Sequence, residues 1–487
     1  MGKRVPSLKV NMILNAIRGC MSIVFPLITF PYISRVLDVA NIGKYNFATS
    51  VISYFLMIAE LGIGTYAVRE GAPLKNKRDE LQKFANQMFS INIISTALSF
   101  FLLLFAIVFV NKFHDYFLLL IVLSIQIIIK PFSIEWVYSI FEDYVYITIR
   151  SIVFQLLSLG LLFALVHSEG DLLIYTGITV LSACGTNFFN FIYARKYLKI
   201  HFTKKIDLRK HISPIMILFA MSVTVMIYVS SDTTILGFIC DDYTVGIYSV
   251  SVKVYTIIKT LLSSVLVVSI PRLSAQYGNN NLVDFKTTAE DIYKTLLTVI
   301  MPAIVGLIIL RDHIVYIIGG NSYLEATSSL TLLSIALFCC LAAWFWGQCI
   351  LVPMKHEKDV FNATVFSAFV NIGLNFLLIP VWKENAAALT TIIAEGCAFV
   401  WCRHKGKQYS NIGGFSATLF KVIVGCITIC AFGWLTGNCI TNRWACIATT
   451  IIGSIVIYTL VEIILKNEAV YSILKSVKNR LKINKMN

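Results

Sequence analysis

The sequence predicts an all-α integral membrane protein of about fourteen transmembrane helices, arranged as two six-helix lobes around a central cavity plus two C-terminal helices. Three observations support this. The composition is 57% hydrophobic and 14% charged, with a mean hydropathy of +0.77, whereas a soluble domain carries roughly 25% charge. Apolar stretches of about 20 residues, each long enough to cross a hydrocarbon core of roughly 30 Å as a helix, recur from Met12 to Leu465. With the N-terminus inside, most of the 41 lysines and arginines fall on cytoplasmic connections and tails. The formal charge of +15 therefore reads as loops facing anionic lipid, and nucleic acid is not an expected partner. Twelve scattered cysteines without a CxxC, and histidines without metal-ligand spacing, predict neither a metal nor a cofactor.

Apolar runs between charged or turn-forming breaks place spans at 12–34, 45–68, 84–110, 116–140, 149–166, 172–193, 214–240, 243–270, 293–310, 330–352, 360–382, 386–402, 415–435 and 444–465. Lys3, Arg4 and Lys9 precede the first run as in a signal peptide, but no small-residue cleavage pattern follows, so the run is kept as a span. Asn11, Asn15, Arg18, Ser22 and Thr29 follow helical steps along one side of it. The second span opens with Ile42-Gly43-Lys44-Tyr45, and Asn46, Ser50, Ser53 and Glu60 line one side. Gly62 and Gly64 beyond it permit close helix approach. The fourth carries Glu135 near Lys130-Pro131. After the sixth, Arg195-Lys196 through Arg209-Lys210 form the longest polar break in the middle of the chain.

Thr224, Tyr228, Ser231 and Asp232 line the seventh span. The eighth opens with Val245-Gly246-Ile247-Tyr248, which repeats the pattern of the second (branched aliphatic, Gly, any residue, Tyr), and Ser249, Lys253, Thr256, Thr260 and Ser263 follow, with Lys259 close to that face. The eleventh carries Thr364, Ser367, Asn371 and Asn375, and the twelfth Glu395. In the tail, Val470, Ile473, Leu474, Val477 and Leu481 share one helical face, as expected of a segment lying on the inner leaflet.

The repeated opening motif, six spans apart, predicts parallel repeats with a cavity between them: residues 1–205 as an N-lobe, 206–405 as a C-lobe, 406–465 as two extra spans and 466–487 as a basic cytoplasmic tail. A charge at mid-bilayer costs about 2.5–3.5 kcal/mol on translocon scales, so charged residues there normally face a wet cavity or a partner. Arg18, Lys253 and Lys259 are the expected cavity cations, and three cations imply an anionic cargo group such as phosphate or pyrophosphate. Asn15, Asn371 and Asn375 suit a sugar. Glu60 and Asp232 would balance these charges or carry a coupling proton or sodium ion, with Arg18 and Glu60 placed to pair. Glu135 and Glu395 read as structural. The chain has no GxxxxGK[ST] phosphate loop, no nucleophile–base–acid set, and only short external connections without clustered carboxylates. An ATPase or a membrane glycosyltransferase is therefore not expected, and the chain is read as not being an enzyme.

Three blocks carry a family resemblance: Phe30-Pro31-Tyr32-Ile33-Ser34-Arg35-Val36-Leu37 with Ile42-Gly43-Lys44-Tyr45 and Leu61-Gly62-Ile63-Gly64-Thr65-Tyr66-Ala67-Val68-Arg69-Glu70; Ser231-Asp232-Thr233-Thr234-Ile235-Leu236-Gly237; and Asn371-Ile372-Gly373-Leu374-Asn375 with Ile379-Pro380 and Ala386-Ala387-Ala388. Over nearly its full length the chain resembles the polysaccharide-repeat-unit flippases of the multidrug/oligosaccharidyl-lipid/polysaccharide exporter superfamily. The resemblance implies twelve core helices in two lobes, often with two more, and alternating access around a cationic lumen. Its expected cargo is a polyprenyl-pyrophosphate-linked glycan in a bacterial inner membrane, with membrane lipids, a polysaccharide polymerase and glycosyltransferases as possible partners and both termini cytoplasmic. A lipid II flippase or a cation/drug antiporter of the same superfamily is the alternative. Two departures from the family pattern stand at external helix ends: Asp38 replaces a usual Gly, and Lys383-Glu384-Asn385 replaces a glycine-containing turn.

Overall fold

The computed structural model describes residues 8–410, 412, 413, 415–472 and 475; within them, the side chains of 8–16, 18, 22 and 265 are outside the described set. Among the described residues, thirteen helices are long and apolar enough to cross a membrane. We number the helices that form or begin these spans α1 (Leu8–Val36), α2 (Val39–Glu60), α3 (Arg78–Phe109), α4 (Phe117–Ile129, whose span runs on to Phe141), α5 (Tyr144–Leu165), α6 (Leu172–Ala194), α7 (Leu208–Ile239), α8 (Asp242–Val267), α9 (Leu282–Ile309), α10 (Ala326–Trp344), α11 (Glu357–Tyr409), α12 (Ser416–Cys439) and α13 (Arg443–Ile464).

Thirteen helices hold the fourteen expected spans, because α11 contains two of them. Residues 375 and 390 would be about 22 Å apart on a straight helix, yet Thr390 Oγ1 donates to Asn375 Oδ1 at 2.5 Å. The chain reverses between them at Lys383, whose φ of 48° and ψ of −127° break the helix just after Pro380. The expected fourth span is interrupted instead of continuous. Proline has no N–H to donate and its ring clashes with the preceding turn, so α4 stops at Ile129 and a 3₁₀ turn runs over Lys130–Phe132 with Pro131 inside. A short helix, Glu135–Phe141, resumes.

The chain forms two compact units, 1–249 and 250–487. In the first, α2 packs on α3, α4 and α7, α6 on α4 and α5, and α1 on α5. The two copies of the repeated motif meet here: a Cβ on Gly43 would overlap the Asp242 carbonyl and Gly246 N, and one on Gly246 the Val39 carbonyl. Only glycine allows backbones this close. Asp38, a departure from the family pattern, caps α2 by accepting from Asn41 N at 2.8 Å.

The basic break after α6 is ordered along the start of α3. Gln82 Nε2 donates to the Lys199 carbonyl (2.8 Å) and Gln82 Oε1 accepts from Lys199 N (2.9 Å). Asn86 Oδ1 accepts from His201 N (3.1 Å) and Ser90 Oγ from Thr203 N (2.8 Å). Residues 82, 86 and 90 stand one helical turn apart on one face, which is what lets them clasp an extended strand of backbone. The helix expected to open the second lobe, α7, is held in the first unit: Thr234 Oγ1 donates to Ser50 Oγ (3.0 Å), and buried His211 bonds Tyr66 Oη (2.9 Å) and Gln87 Oε1 (2.7 Å).

In the second unit, α10 packs on α11 and on α9, and a π-helical segment, Phe345–Leu351, continues α10. The two extra spans lie against α9: α12 packs along it, and Tyr458 Oη of α13 donates to the Thr298 carbonyl at 2.8 Å. The amphipathic tail lies largely outside the described residues.

Candidate functional site

The first unit holds a half-open cavity of about 530 Å³ among α1, α2, α4, α5 and α6, within the range of about 300–1,000 Å³ typical of small-molecule sites. Its walls mix apolar side chains with hydroxyls, amides and charges carried on membrane-length helices. Ser151, Gln155 and Ser158 of α5 follow steps of four and three and share one helical face. Tyr175, Thr179, Ser182 and Thr186 of α6 do the same with steps of four, three and four. Gln126 and Lys130 reach in from α4 and its 3₁₀ turn, and Thr29 from α1.

Two ion pairs border this space. Lys130 Nζ lies 2.8 Å from Glu60 Oε2, and Arg150 Nη2 lies 2.8 Å from Glu135 Oε1. The break at Pro131 is what turns Lys130 and Glu135 toward the cavity, since a continuous helix would carry them on around its circumference. Arg150 is 6% exposed and its guanidinium stands 5.8 Å from the Tyr146 ring, which stacks on Tyr193. Arg150 Nε and Nη1 and Gln155 Oε1 have no hydrogen-bond partner among the described residues. A buried polar atom left unpaired costs about 1–3 kcal/mol, so this wall is chemically suited to water or a hydroxyl-rich ligand.

The residues singled out from sequence fall in several places. The side chains of Arg18 and Asn15 lie outside the described residues. Glu60 pairs with Lys130, because helices α2 and α4 pack together and bring the Lys130 ammonium to the carboxylate; the expected pairing with Arg18 falls outside the described residues. Asp232 accepts from Tyr248 Oη at 3.3 Å. In the second unit Lys253 is half-buried on α8. Asn371 and Asn375 are buried inside the α11 hairpin, where Asn375 Nδ2 donates to Asn371 Oδ1 at 3.1 Å. Lys259 Nζ lies 3.7 Å from Glu395 Oε1, which also accepts from Tyr255 Oη at 3.4 Å.

Sequence reasoning passed over Gln126, Gln155, Arg150 and the hydroxyls of α5 and α6. The signal was present as polar residues at i, i+4 and i+7 in both spans. Ser50 and Ser53, which it did single out, bond back to the carbonyls of Phe47 and Ser50 (2.7 and 2.6 Å), the local satisfaction usual for hydroxyls on apolar helices.

Residues 8–276 match the family model described as polysaccharide biosynthesis protein. The chain is 21% identical over 400 residues to a protein of Escherichia coli (strain K12) provisionally named an O-antigen transporter, covering 80% of this chain and 94% of that one. It is 23% identical over 366 residues to the capsular polysaccharide biosynthesis protein CapF of Staphylococcus aureus, covering 74% and 89%. Among solved structures, its fold is similar to the lipid II flippase MurJ in an inward closed conformation, with a TM-score of 0.74, 18% identity and 93% and 99% coverage. It is also similar to an inward-facing multidrug resistance MATE family transporter of the MOP superfamily, with a TM-score of 0.60, 13% identity and 83% and 100% coverage.

Proposed function

The chain belongs to the polysaccharide biosynthesis protein family, and from that premise we propose that it is a flippase moving polyprenyl-pyrophosphate-linked oligosaccharide repeat units across a bacterial inner membrane by alternating access, for O-antigen, capsule or another surface polysaccharide. The observation that carries this reading is the hydroxyl- and amide-lined cavity inside the apolar first unit. An oligosaccharide crossing hydrocarbon unaided leaves each unsatisfied hydroxyl at a cost of several kcal/mol. A polar, membrane-embedded cavity removes most of that cost while the lipid tail stays in the bilayer.

Arg18, Lys253 and Lys259 are the candidate cations for the pyrophosphate, each to be tested singly, and Asn15, Asn371 and Asn375 the candidate amides for cargo. Glu60 and Asp232 serve charge balance or carry a coupling H+ or Na+. In this reading residues 1–205 and 206–405 are the two lobes, both termini are cytoplasmic, polymerase and glycosyltransferases are partners, and no catalytic step is involved. An inside-negative potential favours outward movement of the anion by about 2.3 kcal/mol per charge per 100 mV.

The test is surface-polysaccharide display in a bacterium deleted for its own repeat-unit flippase, complemented with this chain or with Arg18→Ala at matched membrane abundance. Display with the wild type and not the variant is expected. Display with both keeps the flippase and discards Arg18; display with neither, across several glycan hosts, discards the cargo class. A lipid II flippase is the second reading, favoured by the fold likeness to MurJ, and rescue of peptidoglycan synthesis instead of polysaccharide display would select it.

A further inference from the structure

Among the described residues, three ion pairs join the transmembrane helices and their breaks, and they are not alike. Lys130–Glu60 and Arg150–Glu135 are closed at 2.8 Å, and their carboxylates are 49% and 35% exposed. Lys259–Glu395 is open at 3.7 Å, with a carboxylate 6% exposed and a lysine 32% exposed. The cation therefore reaches from a sealed carboxylate toward accessible space. Its ammonium also stands 5.5 Å from the Tyr255 ring centroid, within cation–π range, so it has a second place to rest as it moves.

Among the described residues, four titratable groups face Glu395. Lys259 and Tyr255 come from α8, and the thiols of Cys339 and Cys340 from α10. Tyrosine and cysteine are neutral at ordinary pH, so Lys259 is the cation that balances Glu395 among these neighbours. A carboxylate in a low-dielectric interior stays ionised only while its counter-charge is in place. If the ammonium turns to another anion, the charge left behind is removed by taking a proton from solution.

We propose that Lys259 and Glu395 form a proton-coupled anion site: when Lys259 engages a phosphate-class anion, Glu395 takes up a proton, and release of the anion returns it. This rests on the reading of the chain as a carrier of an anionic headgroup. Linkage is reciprocal, so a proton taken up on binding means affinity falls as pH rises.

The test uses the purified full-length chain, with inorganic pyrophosphate as the probe. Isothermal titration in buffers of different ionisation enthalpy counts protons taken up per anion bound. Wild type is expected to take up as much as about one proton more than Glu395→Gln at the same pH, a difference in which the pyrophosphate's own proton exchange cancels. Wild-type affinity falls by up to about tenfold per pH unit above that of Glu395→Gln, and Lys259→Gln loses binding. Equal proton counts in wild type and Glu395→Gln, unchanged binding in Lys259→Gln, or no binding by wild type overturns the proposal. Glu395→Asp keeps a carboxylate and is expected to keep the uptake; loss there too assigns the effect to a distorted fold and overturns it as well. Wild-type complementation in the polysaccharide assay together with any of these results leaves the flippase standing and removes only the coupling.

Discussion

At the scale of single residues, strain and unpaired charge make the sharpest predictions. Lys383 holds φ at 48° with ψ at −127°, a conformation that costs a non-glycine residue about 1–3 kcal/mol. Part of that is offset by the extra unfolded-state freedom of glycine, about 0.5–1 kcal/mol. Lys383→Gly should therefore raise stability by about 1 kcal/mol, read as a higher melting temperature in detergent; an unchanged or lower value would mean that the turn is not strained. Arg150→Ala removes the 2.8 Å pair with Glu135 and opens a void beside the cavity. Because Glu135 is partly exposed, the expected loss is about 2 kcal/mol, below the figure for fully buried pairs. Lys77→Ala, which removes an exposed pair with Glu80, should cost under about 1 kcal/mol. Outside the spans, burial pushes the Tyr197 phenol up to about 12, helped by its hydrogen bond to Asp143. The folded state thus holds this proton more tightly than the unfolded chain. The resulting stability is full below pH 10 and lost as pH rises from 10 to about 12, so Tyr197→Phe should show a smaller alkaline loss over that window.

At the scale of elements, two backbone approaches decide how helices meet. Gly43 and Gly246 place α2 and the start of α8 in direct backbone contact, so Gly43→Leu or Gly246→Leu must force those ends apart. Each should reduce polysaccharide display at matched abundance, while Gly437→Leu on α12, where a Cβ meets nothing within 4 Å, should not. The clasp between α3 and the segment 199–205 rests on Gln82, Asn86 and Ser90. Asn86→Leu removes the acceptor for His201 N, and faster amide exchange of residues 199–203 is the expected readout. If exchange there is unchanged, the strap is held by something other than these side chains. Both features bear on how the sequence was read. The polar break after α6 looked like a linker because Lys and Arg dominate it, but its backbone is bonded to side chains more than a hundred residues earlier. The glycine motif was visible as a repeat, but the contact between its copies was not.

At the scale of the whole molecule, a membrane protein is legible from sequence to the extent that the bilayer itself imposes order. Every backbone polar group in hydrocarbon must be satisfied within its own segment, so span number and the all-helical class follow from local runs of about 20 apolar residues. The reversal at Lys383 was readable for the same reason, since no single span needs 53 residues. On the flippase reading, Gln155→Leu and Thr179→Val together should reduce display of at least one glycan at matched abundance without altering thermal stability by more than about 1 kcal/mol; unaltered display across all hosts would remove the cavity from the transport path. That cavity was half legible: its polar stripes on α5 and α6 are local and could be counted, and its size could not. The pairings were not legible at all. Lys130 meets Glu60, and Lys259 meets Glu395, across long stretches of chain, and a charge in sequence carries no record of its partner. The sequence by itself determined what the bilayer demands residue by residue: helices, their number, and which side chains are too polar for lipid. Only the tertiary structure decided which of those polar groups satisfy one another and which are left facing a cavity, because that depends on the rotation and contact of packed helices, set by side chains far apart in the chain.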